Sequence, residues 1–497
     1  MVFSACLAPR QQIIETDVYV KDRTFAIYDG RGEETEYEIV SCERFNLKDT
    51  KVSFTPIPDD WYHKMRIRLR CGASCYGYQT LYLREGVPAA EKEGSMIRGE
   101  TLDNGRVAVW VEADGSFTIA DRESGRVFRN QHILEDDGNA GDEYDYSPSL
   151  NDYAVTSLGA LEKRSVLEDT PLQASMEFCY RLRVPETTTQ KARGETLCSL
   201  EVAIVVTLRK EEKMVYFTTR IDNRAKNHRL QVHFDGGERL AMHVADIQLG
   251  EIERENVFAL TKESERSWHE RYYPVFDNHK YSGLKDEDGR GFVIYNKGLA
   301  QYEIHQRETT HLALTLLSCV GAMGNIDLKY RSGRRSGSAD QTPASQMQGI
   351  FTCEYAFMPV DENTDYIQAA ESYVNPIRAV SFPEYDCGGS LPDSLMLFRS
   401  TDGLLVSAFK EAEDQKGGIL RLLNPYPYAK KDVSVTVNRH LFKTITCTDL
   451  AERQTGCGEV KIGKKNNPDG SAKAVFSGEV EISRIGRNAL LSLRLEQ

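Results

Sequence analysis

The chain has 497 residues, with 62 Lys and Arg against 75 Asp and Glu and a formal charge of -13, which is length enough for about two to four domains. Nucleic acid and anionic membranes are held by basic patches, and no long Lys/Arg block is present, so both are excluded as the main partner in favour of a neutral or cationic one. The start, "MVFSACLAP", lacks a signal peptide's basic opening, and the most apolar window, "LALTLLSCVGAMG" from Leu312, is too short to span a bilayer; the expected location is cytoplasmic.

Taken in chain order, period-two alternation is the dominant signal. In "HKMRIRLRC" Met65, Ile67 and Leu69 alternate with arginines, the mark of a half-buried strand. Cys71 and Cys75 in "CGASC" are the closest of 11 cysteines, but a zinc site needs a second ligand pair and none is recognisable. The other cysteines stand singly in strand-like text such as "MEFCYRLRV" and "GIFTCEYAF", as buried thiols in a reducing compartment do. Composition turns to Pro, Gly and charge at "REGVPAAEKEGSM", which marks a boundary near residue 95.

The stretch "DDGNAGDEYDYSP", residues 136–148, gathers five carboxylates, two tyrosines and two glycines. Gly138 and Gly141 permit backbone conformations that other residues resist, so a shaped surface loop is expected. Clustered oxygens suit calcium, a solvated acidic turn or a ligand-facing loop. The paired tyrosines favour the last: in an extended segment Tyr144 and Tyr146 share one side, with Asp142 beside them and Asp145 on the other. An aromatic body with a hydroxyl tip suits amphipathic sugars.

Further strands follow in "SLEVAIVVTLRK", "KMVYFTTRIDN", "GFVIYNKG", "GGILRLLNP", "KKDVSVTVN" and "NALLSLRLEQ", separated by turn text such as "DEDGRG". His228, His233 and His243 in "NHRLQVHFDGGERLAMH" read as strand-surface histidines rather than metal ligands, and "SGRRSGSAD", residues 332–340, as a basic exposed loop. "TDYIQAAESYVNP" offers Ile367, Ala370, Tyr373 and Val374 near helical spacing before Pro376, hence one short helix. A second composition shift at "SFPEYDCGGSLPDS" gives three expected β domains, 1–95, 96–382 and 383–497. The chain is therefore read as all-β, built of sandwiches, with no sustained repeat. No nucleophile elbow, phosphate-cradling loop or paired-histidine metal motif is present.

Seven stretches together resemble one family, the bacterial branch of glycoside hydrolase family 38, which holds retaining α-mannosidases and mannosylglycerate hydrolases. They are "DGSFTIADRESGRVF", "DDGNAGDEYDYSP", "IDNRAKNHRLQVHF", "ERYYPVFD", "THLALTLLSCVG", "QTPASQ" and "LRLLNP", in the family's order. The resemblance is to the C-terminal β half, from about "RQQIIETDVYV" onward, and implies a large antiparallel β-supersandwich (galactose-mutarotase-like) flanked by smaller β-sandwich domains. In the family the aspartate nucleophile and an active-site zinc belong to an N-terminal barrel and the segment after it. The resemblance therefore assigns no catalytic residue and no metal ligand here.

It does imply a role for Tyr144, as the tyrosine that reaches from the β half into the active site, with Asp142 and Asp145 orienting the loop or meeting sugar hydroxyls. Relatives often carry an arginine in the strand matching "TLLSCVG", where this chain has Ser318 and Cys319. The expected function is to complete the substrate cleft for α-mannoside hydrolysis, inactive alone, with a separate catalytic barrel chain as a partner; homo-oligomerisation is compatible with that reading. The alternative is a freestanding carbohydrate-binding module. A mutarotase or lyase would need a His and a Glu converging in the large domain. Expected substrate-binding residues are Tyr144, Asp142, Asp145 and Tyr146.

Overall fold

The computed structural model describes residues 1–496 except 47, 49–59, 91–93, 258–260, 262, 264–266, 268–269, 274, 327, 382–391 and 466–474. The expected boundary at 382/383 lies outside the described residues. The described residues form antiparallel sheets, and the α-helix Tyr366–Val374 buries Ile367, Ala370 and Tyr373 on one face. The chain divides into two compact units: 94–248 with 252–366, and 1–93 with 249–251 and 367–497.

The first of these is a sandwich of two large sheets. One has ten strands, and its centre runs Thr310–Ser318, His228–Asp235, Val127–Gly138, Phe117–Asp121. The other has nine, with Gln173–Pro185, Leu197–Arg209, Val215–Asn223 and Gly349–Val360 in succession. Strand Leu197–Arg209 explains why these segments pair as they do. Leu200, Val202, Ile204, Val206 and Leu208 all fall on one face and are buried, so a one-residue slip would turn the whole set to the wrong side. Its register, Val202 opposite Tyr180 and Ile221, keeps that face continuous across neighbours.

Between the sheets lies one apolar core. Phe117 from the ten-stranded sheet meets Phe178 and Phe217 edge-on from the other, at 5.1 and 6.1 Å, and Phe128 meets Phe357 at 5.3 Å. Aromatic pairs in these tilted and edge-on geometries add about 0.5–1.5 kcal/mol each beyond their buried area. His132, buried here at φ 59°, donates to or accepts from the Tyr355 hydroxyl at 2.6 Å and lies 4.5 Å from the Phe217 ring.

The other unit carries two apolar clusters, one around Ile14, Met65, Ile67 and Leu69, the other around Leu420, Val435, Val480 and Leu493. The segments read as separate end domains thus share a unit while keeping distinct cores. In strand Trp61–Ala73, Met65, Ile67 and Leu69 face inward as their alternation requires, yet Arg68 is also buried. It stands opposite Glu15 and Glu38 on the two flanking strands and is paired with both.

Phe217→Ala should lower the stability of the sandwich by about 3–5 kcal/mol, because it removes a ring that touches both sheets and leaves a cavity. Urea denaturation followed by tryptophan fluorescence reads this directly, and a loss under about 1 kcal/mol would mean that the core collapses around the gap.

Candidate functional site

The loop 139–149 leaves the end of strand Val127–Gly138 and folds back on itself through its own backbone. Ala140 N–H donates to Ser147 O at 2.7 Å, and Asp142 N–H to Asp145 O at 3.0 Å. Asp142 Oδ1 accepts from the backbone N–H of Tyr144 and of Asp145, at 3.0 and 2.9 Å, the side-chain-closed turn for which Asp is favoured. The glycines matter for a different reason from the one expected. Neither has a positive φ; instead a Cβ on Gly141 would stand 2.0 Å from Asp145 O, and one on Gly138 2.7 Å from Thr188 Cγ2. They are small because the chain passes close.

One guanidinium holds this turn. Arg331, 1 % exposed, donates from Nη2 to Asp142 Oδ2 at 2.5 Å and from Nε to Asp145 Oδ2 at 2.6 Å. Its Nη1 donates to Arg334 O at 2.8 Å, so the same side chain also pins the 332–340 loop. Burial works against its charge, but hydrogen bonds to Asp145 and Asp142 more than offset this and raise its pKa. Asn325 completes the seam, donating its backbone N–H to Asp142 Oδ2 at 2.8 Å and its Nδ2 to Gly141 O at 2.6 Å.

The four expected substrate-binding residues therefore separate. Tyr144 is 59 % exposed, with its ring edge and hydroxyl against Gly337: a Cβ there would stand 3.0 Å from both Cε2 and the hydroxyl oxygen. Asp142 is buried and both its oxygens are engaged; Asp145 is half-buried on Arg331. Tyr146 does not share a side with Tyr144. Its ring lies under the Arg229 guanidinium at 3.7 Å and on Tyr273 at 5.2 Å, and its hydroxyl donates to Asp137 Oδ2 at 2.9 Å. The parity expected from an extended segment fails because the chain turns between Asp142 and Asp145.

Beneath the loop are two charge clusters that sequence reasoning missed. Arg229 joins Asp137 at 2.6 Å to Glu303 at 2.8 Å, with the Tyr273 hydroxyl 3.1 Å from both Arg229 Nη1 and Glu303 Oε2. Burial would raise the Glu303 carboxyl, but the adjacent His305 and Arg229 hold it down to about 2. Asp136 is fully buried between Arg193 and His228, whose Nδ1 is 2.5 Å from Asp136 Oδ2. Burial opposes the imidazolium, yet Asp136 raises the His228 pKa to about 10. Asp136 and Asp137 stood in the quoted acidic stretch, and their adjacency to the strand end was the available signal.

The histidines are buried, not on the strand surface. Burial depresses His132 to about 3 and His243 to about 4, and pushes His233 well below its usual value. His233 lies 4.9 Å ring to ring from His305 and 6.1 Å from His311. Glu135 and Glu303 do approach these rings, at 3.8 and 3.4 Å, but both are bound to arginines, Arg307 and Arg229. Among the described residues no three His, Cys, Asp or Glu side chains are placed to hold a metal ion. Their donor set does not fit a zinc site. Ser318 Oγ accepts from Asn139 Nδ2 at 3.2 Å, and Cys319 is buried.

Comparison with known proteins agrees with this architecture. Residues 102–321 match the family described as the Glycosyl hydrolases family 38 C-terminal domain. The "Putative mannosylglycerate hydrolase" of Halalkalibacterium halodurans is 26 % identical over 405 residues, 76 % of this chain and 42 % of that protein. The crystal structure of an alpha-mannosidase from Enterococcus faecalis V583 superposes with a TM-score of 0.77 at 19 % identity, covering 100 % of this chain and 55 % of that one. A glycosyl hydrolase family 38 protein from Enterococcus faecalis gives a TM-score of 0.78 at 19 % identity, covering 100 % and 57 %. The chain resembles the C-terminal β half of glycoside hydrolase family 38 and spans about half the length of these relatives.

Two outcomes test the site's electrostatics. Arg331→Ala leaves Asp142 buried without its cation, a loss on the order of 3–5 kcal/mol; it should lower Tm and open the 139–148 loop to limited proteolysis. Arg331→Lys should restore little, since an ammonium cannot fork to two carboxylates. Stability should also fall on both sides of neutrality. His228, raised to about 10, stabilises fully below about pH 6.5 and loses that contribution as pH climbs through 10. His132 and His243, depressed to about 3 and about 4, stabilise fully above about pH 6.5 and lose it as pH falls toward those values. Calorimetry from pH 4 to 10 checks this, and a Tm still rising at pH 9 would remove the His228–Asp136 pair from the account.

Proposed function

We propose that this chain completes the substrate cleft of an α-mannosidase-like glycosidase, with Tyr144 as the side chain that meets the sugar. Bond-breaking groups, an aspartate nucleophile and a zinc ion, are assigned in this reading to the part of the relatives that the chain does not match, and the chain by itself does not hydrolyse mannosides. One observation carries the proposal. A tyrosine that is 59 % exposed is held out on a turn whose two aspartates, Asp142 and Asp145, are spent on fixing it, inside the segment that matches the family's C-terminal domain. Building such a support for an idle surface ring would cost stability for nothing.

Asp142, Asp145 and Tyr146 act in this reading as supports rather than sugar contacts. Asp142 would have to surrender Arg331 to reach a ligand, and Tyr146 would have to leave the Arg229 face. The free thiols of all ten described cysteines accord with a reducing, cytoplasmic setting. No helix among the described residues is long and apolar enough to cross a membrane.

Tyr144→Phe removes one neutral hydrogen bond worth about 0.5–1.5 kcal/mol. In the enzyme that contains this chain, kcat/KM on an aryl α-mannoside should fall roughly threefold to tenfold with Tm unchanged. Unaltered kinetics would take Tyr144 out of the site, and hydrolysis at full rate by the purified chain would overturn the division of labour.

A further inference from the structure

Sequence spacing draws attention to Cys71 and Cys75, but their sulfurs have other neighbours. Cys71 is buried beside Arg10, and Cys75 Sγ accepts from Ser74 Oγ at 3.8 Å. The thiols that meet are Cys447 and Cys457, and a turn brings them together. Cys447 lies buried in strand Thr444–Thr448, opposite Leu493 of strand Ala489–Glu496. There the chain reverses: Asp449 N–H donates to Arg453 O at 3.0 Å, Thr448 pairs with Gln454, and Thr455 N–H donates to Cys447 O at 2.9 Å. Two residues on, Cys457 packs against the apolar cluster that contains Cys447, Leu420, Val435, Val480 and Leu493. Its thiol is within hydrogen-bonding reach of the Cys447 thiol, and both are free.

The two sulfurs differ in access. Cys447 is in the core, and burial with a second thiol beside it pushes its pKa up to about 12. Cys457 is half-buried between Gly456 and Gly458, and a Cβ on either glycine would meet no atom within 4 Å, so a small reagent can approach from that side. The turn between the cysteines also carries a fixed contact. Glu452 pairs with Lys410 at 2.8 Å and accepts from the Glu413 N–H at 2.7 Å, which ties the turn to the neighbouring hairpin.

We propose that Cys447 and Cys457 form a reversible disulfide across the base of this turn when the protein meets a low-molecular-weight disulfide such as oxidised glutathione. The accessible Cys457, as thiolate, attacks one sulfur of the reagent and expels the first small thiolate, which takes up a proton. Cys447, losing its own proton, then attacks Cys457 Sγ of the mixed disulfide and expels the second. Two protein thiols are oxidised to one disulfide, and one small disulfide is reduced to two thiols. In a reducing compartment both cysteines stay as thiols, and the link forms only when the pool turns oxidising. The inference is independent of the reading of Tyr144.

The test exposes the folded full chain to millimolar oxidised glutathione, blocks the remaining thiols by alkylation and maps the peptides by mass spectrometry. A Cys447–Cys457 link should accumulate about tenfold ahead of any Cys71–Cys75 link, because proximity makes the second step intramolecular. Oxidation should raise the unfolding midpoint by a few degrees, and dithiothreitol should return it. Cys447→Ser should stop at a glutathione adduct on Cys457, and Cys457→Ser should leave Cys447 unmodified. The wild-type map stands even if a substitution in the core prevents folding. Absence of the link in folded protein, its appearance only in urea, or a Cys71–Cys75 link forming as fast overturns the proposal.

Discussion

Buried charge, neutralised across long stretches of chain, fixes one end of the large sandwich. Three knots do this: Asp136 with Arg193 and His228, Asp137 with Arg229 and Glu303, and Asp142 and Asp145 with Arg331. A buried ion pair adds little to stability relative to an apolar pair of the same volume, because desolvation consumes most of the attraction. Breaking one is another matter, since the partner left behind is a bare charge in a poor solvent. Such pairs therefore penalise misplacement more than they reward formation, and they set where loops sit. The apolar core between the sheets makes the sandwich stable; these charges make its loop end particular.

This difference explains what was legible in the sequence. Strands Leu197–Arg209, Val215–Asn223 and Lys430–Val437 were readable because a half-buried strand writes its burial at period two, whatever it pairs with. The all-β sandwich follows from that signal and from the family resemblance together. The helix Tyr366–Val374 was readable for the analogous reason at period 3.6, with Pro376 to stop it. The acidic loop was recognised as shaped, but its shape depends on a residue 189 positions away from Asp142, and no local pattern encodes that. Without Arg331 in view, Asp142 looks like a ligand contact and Tyr146 like a twin of Tyr144.

The histidines failed for a related reason. Alternation distinguishes apolar from polar, and a polar residue on the outer face of a strand is normally at the surface. Strand His228–Asp235 is buried on both faces, so Arg229, Gln231 and His233 occupy an interior that is polar. Sequence contains the residues of that interior but not the fact that it is covered. Arg68, buried between Glu15 and Glu38, repeats the lesson on a smaller scale.

The same energetics constrain what the lip can offer to a sugar. To free Asp142 for a hydroxyl would expose Arg331 to an unbalanced interior and release the 332–340 loop at the same time, because both loops depend on that guanidinium. A ligand hydroxyl returns about 0.5–1.5 kcal/mol for one hydrogen bond, which is well below the cost of opening a buried pair. The carboxylates crowded into this stretch are thus committed to architecture. What is left for recognition is a group already in water whose hydrogen bonds are not spent, the Tyr144 phenol. The turn that reads as acidic in sequence accordingly folds its two aspartates onto Arg331 and leaves outward the Tyr144 ring and the neighbouring Glu143.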